Sequence, residues 1–210
     1  MLHKEAVPAI TLALIKTLQT KDYLKGFYLA GGTALALILG HRKSLDIDLF
    51  SDFEFDAEQM LERIHQEFDF RLYQTAVNTL KGTIDGVNVD IIAHRYPRIN
   101  DPVMKDDIQM LSVEDIIAMK LNAISVSGER SKDFIDIYFL LKDFSISSML
   151  SFYRQKYNQP GDTHILKSLL YFDDVDASDW PMIISSPQLK WIEVRKRIEK
   201  EVIKYLKYLD

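Results

Sequence analysis

Short apolar runs with alternating polar positions fill the first half of the chain, and helical spacing dominates the second. Ile10, Leu14 and Leu18 recur at helical intervals, which predicts a helix within residues 5–20 with those three on one stripe. Phe27-Tyr28-Leu29-Ala30 predicts a short strand closed by Gly31-Gly32. Thr33 then reads as the N-cap of a helix from Ala34 to Leu39, ended by Gly40. Past the loop His41-Arg42-Lys43-Ser44, residues 45–50 predict a buried strand. Asp56 is placed to cap a helix with Met60, Leu61, Ile64 and Phe68 on its apolar face, and Gln59 completes a box-like start. Strands over 70–76, 78–84 and 87–95 follow, the last two joined at Asp85-Gly86, a dipeptide favoured in tight hairpins.

Residues 96–102 carry Pro97 and Pro102 and no periodicity. They mark a junction between a mixed α/β part, residues 1–100, and a helical part, residues 101–210. In the helical part Ser112 and Asp115 start a helix reaching about Ala123, and Ser131 caps another over Lys132–Lys142. Residues 147–157 and 163–172 and the stretch from Pro187 to Leu209 complete the expected helices.

Composition narrows the class. A chain of 210 residues with 47% hydrophobic content can bury a core without covalent staples. With no cysteine, disulfides, thiolate metal sites and cysteine nucleophiles are excluded. No apolar run approaches about 18 residues, and the N-terminus lacks a signal-peptide pattern, so a cytoplasmic protein without a membrane span is expected. A net charge of −5 argues against non-specific coating of nucleic acid and leaves room for a local basic groove.

The chemistry starts at Asp46 and Asp48. Side chains alternate across a strand, so both project from one face of Leu45-Asp46-Ile47-Asp48-Leu49-Phe50. Adjacent carboxylates on a packed element need a neutraliser, and hard oxygen ligands suit magnesium. Asp90 lies in a similar apolar strand, Val87 to Ile92, opposite in face to Val87, Val89 and Ile91. Brought beside the pair, it would complete a set of three carboxylates able to hold two magnesium ions roughly 4 Å apart. One ion would orient nucleotide phosphates and the other activate a hydroxyl, with Asp90 also serving as general base. The structural alternative is a hairpin cap or an ion pair with Arg95 or Arg71.

Gly31-Gly32-Thr33 opens a helix directly after a strand, where backbone amides and the helix N-terminus favour an anion. The Thr33 hydroxyl would add a donor to a triphosphate, and Arg42 would contact phosphate or pair with a nearby acid. Lys120 falls inside the apolar stripe Val113, Ile116, Ile117, Leu121, Ile124, unusual unless its amine reaches a buried anion or snorkels from a helix edge.

The run from Leu29 to Leu37, followed by Gly40 to Phe50 with its Asp-x-Asp, resembles the signature of the AbiEii/AbiGii toxin family, minimal nucleotidyltransferases of the DNA polymerase β-like superfamily. Gly32-Thr33 stands where the superfamily has Gly-Ser. Arg130-Ser131-Lys132-Asp133-Phe134-Ile135-Asp136 is similar to the family's Arg-x-Lys-Asp-x-x-Asp motif. The resemblance covers roughly residues 25–145. It implies an α+β fold: a polymerase-β-like core of mixed sheet flanked by helices, then a helical C-terminal region. It further implies transfer of a nucleoside monophosphate from a nucleoside triphosphate with magnesium. Lys120 would contact nucleotide phosphate, and Asp133 and Asp136 would organise the site. Asp133 and Asp136 have a structural alternative, ion pairs with Arg130, Lys132 or the Arg42-Lys43 loop. The implied setting is the toxin of a type IV toxin–antitoxin pair, with transfer RNA as acceptor and a cognate antitoxin as partner. The rivals are a small-molecule or protein nucleotidyltransferase and a non-catalytic binding module.

Other signals carry less. His65 and His94 lack metal-ligand spacing, and Asp173, Asp174, Asp176 and Asp179 lack the glycine and glutamate of a calcium loop. Residues 187–210 hold seven basic residues against four acids, with Trp191, Tyr205 and Tyr208 interleaved. That pattern suits an RNA backbone or a plain amphipathic helix.

Overall fold

The protein is described by a computed structural model covering residues 1–208. Its centre is a seven-stranded mixed sheet made of β1 (Tyr28–Leu29), β2 (Ile47–Ser51), β3 (Phe70–Ala76), β4 (Thr79–Ile84), β5 (Val87–Ala93), β6 (Val103–Lys105) and β7 (Ile108–Met110). The strand order is β3-β4-β5-β2-β1-β7-β6. β2 runs parallel to β5 and antiparallel to β1, while β7 is parallel to β1. Alternation explains the layering: Ile47 and Leu49 of β2 and Val89 and Ile91 of β5 are fully buried, whereas the positions between them turn to the other face.

The helices are α1 (Ala9–Gln19), α2 (Gly31–Leu39), α3 (Ala57–Glu67), α4 (Val113–Val126), α5 (Ser131–Leu140), α6 (Ile146–Tyr157), α7 (Thr163–Leu170) and α8 (Trp191–Leu206). Capping sets several starts: Asp56 accepts from the amides of Glu58 and Gln59, and Ser112 accepts from that of Asp115. α4 is the hub of the helical part, packed on α2, α5, α6 and α7, so this part sits directly on the core. None of these helices is long and apolar enough to cross a membrane among the described residues.

Four expectations are corrected. α1 begins only after Pro8, and its buried stripe is Thr11, Leu14, Ile15 and Leu18, with Ile10 exposed. α2 starts at Gly31, not after a Thr33 cap. A left-handed Gly31 (φ +65°) turns the chain straight from β1 into the helix, which draws Thr33 into the buried first turn. The part after residue 101 is not purely helical, because β6 and β7 return to the sheet through a turn at Asp106 and Asp107, both with positive φ. α8 begins at Trp191 rather than near Pro187, and its expected end at Leu209 lies outside the described residues.

The junction at 96–102 is fixed by one buried acid. Asp115 at the head of α4 accepts from the amides of Ile99 and Asn100 and pairs with Lys156 of α6 at 2.7 Å, both side chains buried. Removing one partner of such a pair strands the other charge. Asp115→Ala is therefore expected to lower unfolding stability by about 3–5 kcal/mol, measured by urea denaturation. A loss below about 1 kcal/mol would contradict this role.

Candidate active site

Parallel pairing of β2 and β5 sets Asp48 directly opposite Asp90. Asp46, Asp48 and Asp90 all line one open cavity of about 770 Å³, with Gly31, Gly32, Lys81, Asn88, Lys120, Lys132 and Asp133. A Cβ built on Gly31 would stand 2.1 Å from Asp48 Oδ2, so the bare glycine is what lets this carboxylate lie against the head of α2. Burial pushes the Asp48 carboxyl up to about 6; Asp90 and Asp46 add to the rise, and Lys120 and Arg130 oppose it. The corner thus holds a carboxylate that burial and two neighbouring acids disfavour in its charged form. Its carboxylate oxygens are the donors that a hard divalent cation takes.

The three acids share this wall without converging on one point. Asp46 Oδ1 accepts from Asn88 Nδ2 at 2.9 Å, and Asp90 Oδ2 is 2.5 Å from Lys81 Nζ. Among the described residues no group of three or more acidic or histidine side chains has metal-holding spacing, which corrects the expected three-acid cluster. The alternative partners considered for Asp90 are engaged elsewhere, Arg95 with Glu54 and Arg71 with Asp69.

Beside this wall lies a buried ionic network centred on Asp136. Arg42 grips its carboxylate through Nε (2.7 Å) and Nη2 (2.9 Å), Lys120 Nζ lies 2.8 Å away, and His41 Nε2 lies 2.7 Å away. Burial alone would raise the Asp136 pKa, but Arg42 and Lys120 hold it well below the usual carboxylate range. Burial keeps His41 neutral, so its Nε2–H donates to Asp136. Burial opposes the charge on Lys120, yet Asp133 (2.5 Å) and Asp136 raise its pKa. Arg130 caps the outer oxygen of Asp133 at 2.9 Å.

The predicted site residues therefore divide. Gly31, Gly32, Asp46, Asp48, Asp90, Lys120 and Asp133 meet at the cavity. Arg42 reaches the cavity edge but is spent on Asp136, and Lys120 is shared by two acids. Thr33 is withdrawn altogether: its buried hydroxyl donates to the Asp46 carbonyl and lies 2.9 Å from Ser44 Oγ, so it braces β2 and offers nothing to a ligand. Sequence reading missed Lys81, Asn88 and Lys132, and the segment at Asp179 to Met182 that borders the cavity. Lys81 was within reach, because a two-residue turn at Asp85-Gly86 fixes Lys81 opposite Asp90 by counting outward. The bordering segment had no such signal; it is tied down by Ser131 Oγ to Asp179 and by the Lys43 amide to the Met182 carbonyl.

A mixed sheet with a glycine-headed helix against paired strand aspartates defines a nucleotidyltransferase-type fold. The chain belongs to the family described as nucleotidyl transferase AbiEii toxin, type IV TA system, whose profile matches residues 13–81 and 82–202. An uncharacterized protein of Aquifex aeolicus is 32% identical over 186 residues, covering 86% of this chain and 88% of its own. The fold is shared with MenT4, a nucleotidyltransferase toxin of Mycobacterium tuberculosis (TM-score 0.55, 15% identity, 92% of this chain and 83% of that one). It is also shared with JHP933 of Helicobacter pylori (TM-score 0.54, 16% identity, 97% and 94%).

A carboxylate must shed its proton to bind a cation. With Asp48 titrating at about 6, affinity for Mn²⁺ is expected to be flat above neutrality and to fall as pH drops through about 6. The slope approaches about tenfold per pH unit. Mn²⁺ titrations across that range check it, and a decline starting only near the ordinary aspartate value would contradict it.

Proposed function

We propose that this chain transfers a nucleoside monophosphate from a nucleoside triphosphate to an acceptor hydroxyl, releasing pyrophosphate, as the toxin of a toxin–antitoxin pair acting in the cytoplasm on transfer RNA. The observation that carries this reading is the Asp48–Asp90 register against the glycine-headed α2 in one open cavity. A bound magnesium ion would neutralise triphosphate charge and polarise the reacting phosphoryl group. Asp46 and Asp48 are the residues that would hold it. The Gly31 and Gly32 amides at the head of α2 suit the triphosphate, because neither residue sets a side chain between backbone and ligand.

Lys132 and Arg130 stand at the cavity, and Lys132 has no acidic partner among the described residues. Their charge is better placed for phosphate than that of Arg42. Lys120 acts from the cavity wall, where its ammonium already lowers the Asp48 pKa. Asp133 holds Lys120 in place, and Asp90 would take the proton from the acceptor hydroxyl. Membership of a type IV toxin family supports a cognate antitoxin as the protein partner.

The test incubates the protein with each labelled nucleoside triphosphate and either total RNA or total protein, with and without Mg²⁺. Label is expected in the transfer RNA fraction, only with metal, and Asp48→Asn is expected to reduce it more than about 100-fold. Label entering only protein would overturn the RNA acceptor, and label entering neither would overturn the transferase reading.

A further inference from the structure

We propose that the Lys81 ammonium is a resident cation for Asp90, so that the site takes up one divalent ion, at Asp46 and Asp48, and not two. The proposal rests on the nucleotidyltransferase reading of the same cavity and specifies how its charge is balanced.

The sheet makes the arrangement. β4 pairs antiparallel with β5 so that Lys81 stands directly opposite Asp90, and β5 pairs parallel with β2 so that Asp90 stands directly opposite Asp48. Directly opposed residues point to the same face. Lys81, Asp90 and Asp48 therefore form a row across three strands, with the ammonium at the far end from α2. Lys81 Nζ lies 2.5 Å from Asp90 Oδ2. Their side chains are only 29% and 20% exposed, so this is not a fully solvated surface pair. Lys81 has no other carboxylate partner among the described residues.

Engagement of Asp90 then decides the number of ions. Lys81 holds Asp90, and the pair left to a divalent ion is Asp46 and Asp48. Among the other cations of the cavity, Lys120 serves Asp133 and Asp136, Arg42 serves Asp136, Arg130 caps Asp133, and Lys132 has no carboxylate partner among the described residues. A second divalent ion at Asp90 would have to displace the ammonium or sit beside it against direct repulsion.

In the transfer, the acceptor oxygen forms its bond to the α-phosphorus while the bond to the pyrophosphate oxygen breaks. The hydroxyl proton passes to Asp90, and pyrophosphate leaves with the electron pair of the broken bond. Lys81 stays beside Asp90 and meets the negative charge growing on the attacking oxygen, the part a second metal ion plays in two-ion sites.

The test is Mn²⁺ stoichiometry of the full chain, with the metal alone as probe, counted by electron paramagnetic resonance of free Mn²⁺. Wild type and Lys81→Arg are expected to bind one ion. Lys81→Met, its fold checked by circular dichroism and replaced by Lys81→Gln should it not fold, is expected to bind two. Two ions in the wild type would overturn the proposal, as would one ion in the uncharged variant. No ion bound to the wild type would overturn the parent reading as well, which separates that failure from the other two.

Discussion

One buried carboxylate joins the two parts of this protein. Asp136 on α5 collects Arg42 and His41 from the loop after α2 and Lys120 from α4. None of these groups would be stable at that depth alone, since an unpaired buried charge costs several kcal/mol. Together they fix the helical part onto the sheet. Lys120 is thereby held close enough to Asp48 to act on its ionisation, and Asp133 is set at the cavity wall. Most of the charged residues of the Arg-x-Lys-Asp-x-x-Asp stretch thus serve this clamp. Lys132 is the exception, standing at the cavity without an acidic partner among the described residues.

The consequence is a separation of charge by depth. Behind the cavity, cations and anions are paired with good geometry, while the buried Nδ1 of His41 has no hydrogen-bond partner among the described residues. At the cavity Asp48 has no ion-pair partner among the described residues, and burial first, then Asp90 and Asp46, raise its pKa against the pull of Lys120 and Arg130. A site built this way attracts a cation to the Asp48 corner, while Lys132 and Arg130, which also line the cavity, suit a polyanion. That polarity is what phosphoryl transfer requires, because such catalysis is mostly positioning and charge neutralisation.

Much of the architecture was legible in the chain. Alternation placed β2 to β5, and Asp-Gly placed the hairpin between β4 and β5, with both turn residues at positive φ (51° and 78°). The β6–β7 hairpin escaped notice because Asp106-Asp107 reaches positive φ without a glycine, and each strand spans only three residues. Thr33 was misplaced because Gly31 can begin a helix with no spacer, a freedom that composition does not reveal. The acids at 46, 48 and 90 were identifiable as charges interrupting apolar runs. Which cation answers each of them depends on pairing between distant segments. Asp136 illustrates this: its Arg42 partner lies 94 residues away in the chain. At the head of α8 the Trp191 signal was packing, since its ring meets Phe134 and Phe172 edge-on, whereas Tyr208 at the far end stays exposed.

The corner where Asp48 meets the head of α2 is where a metal ion is expected to bind. Anomalous diffraction from crystals soaked in Mn²⁺ tests this most directly. A peak is expected touching carboxylate oxygens of both Asp46 and Asp48, at about 2.0–2.2 Å, beside Gly31. A peak elsewhere on the molecule with none at this corner would contradict it.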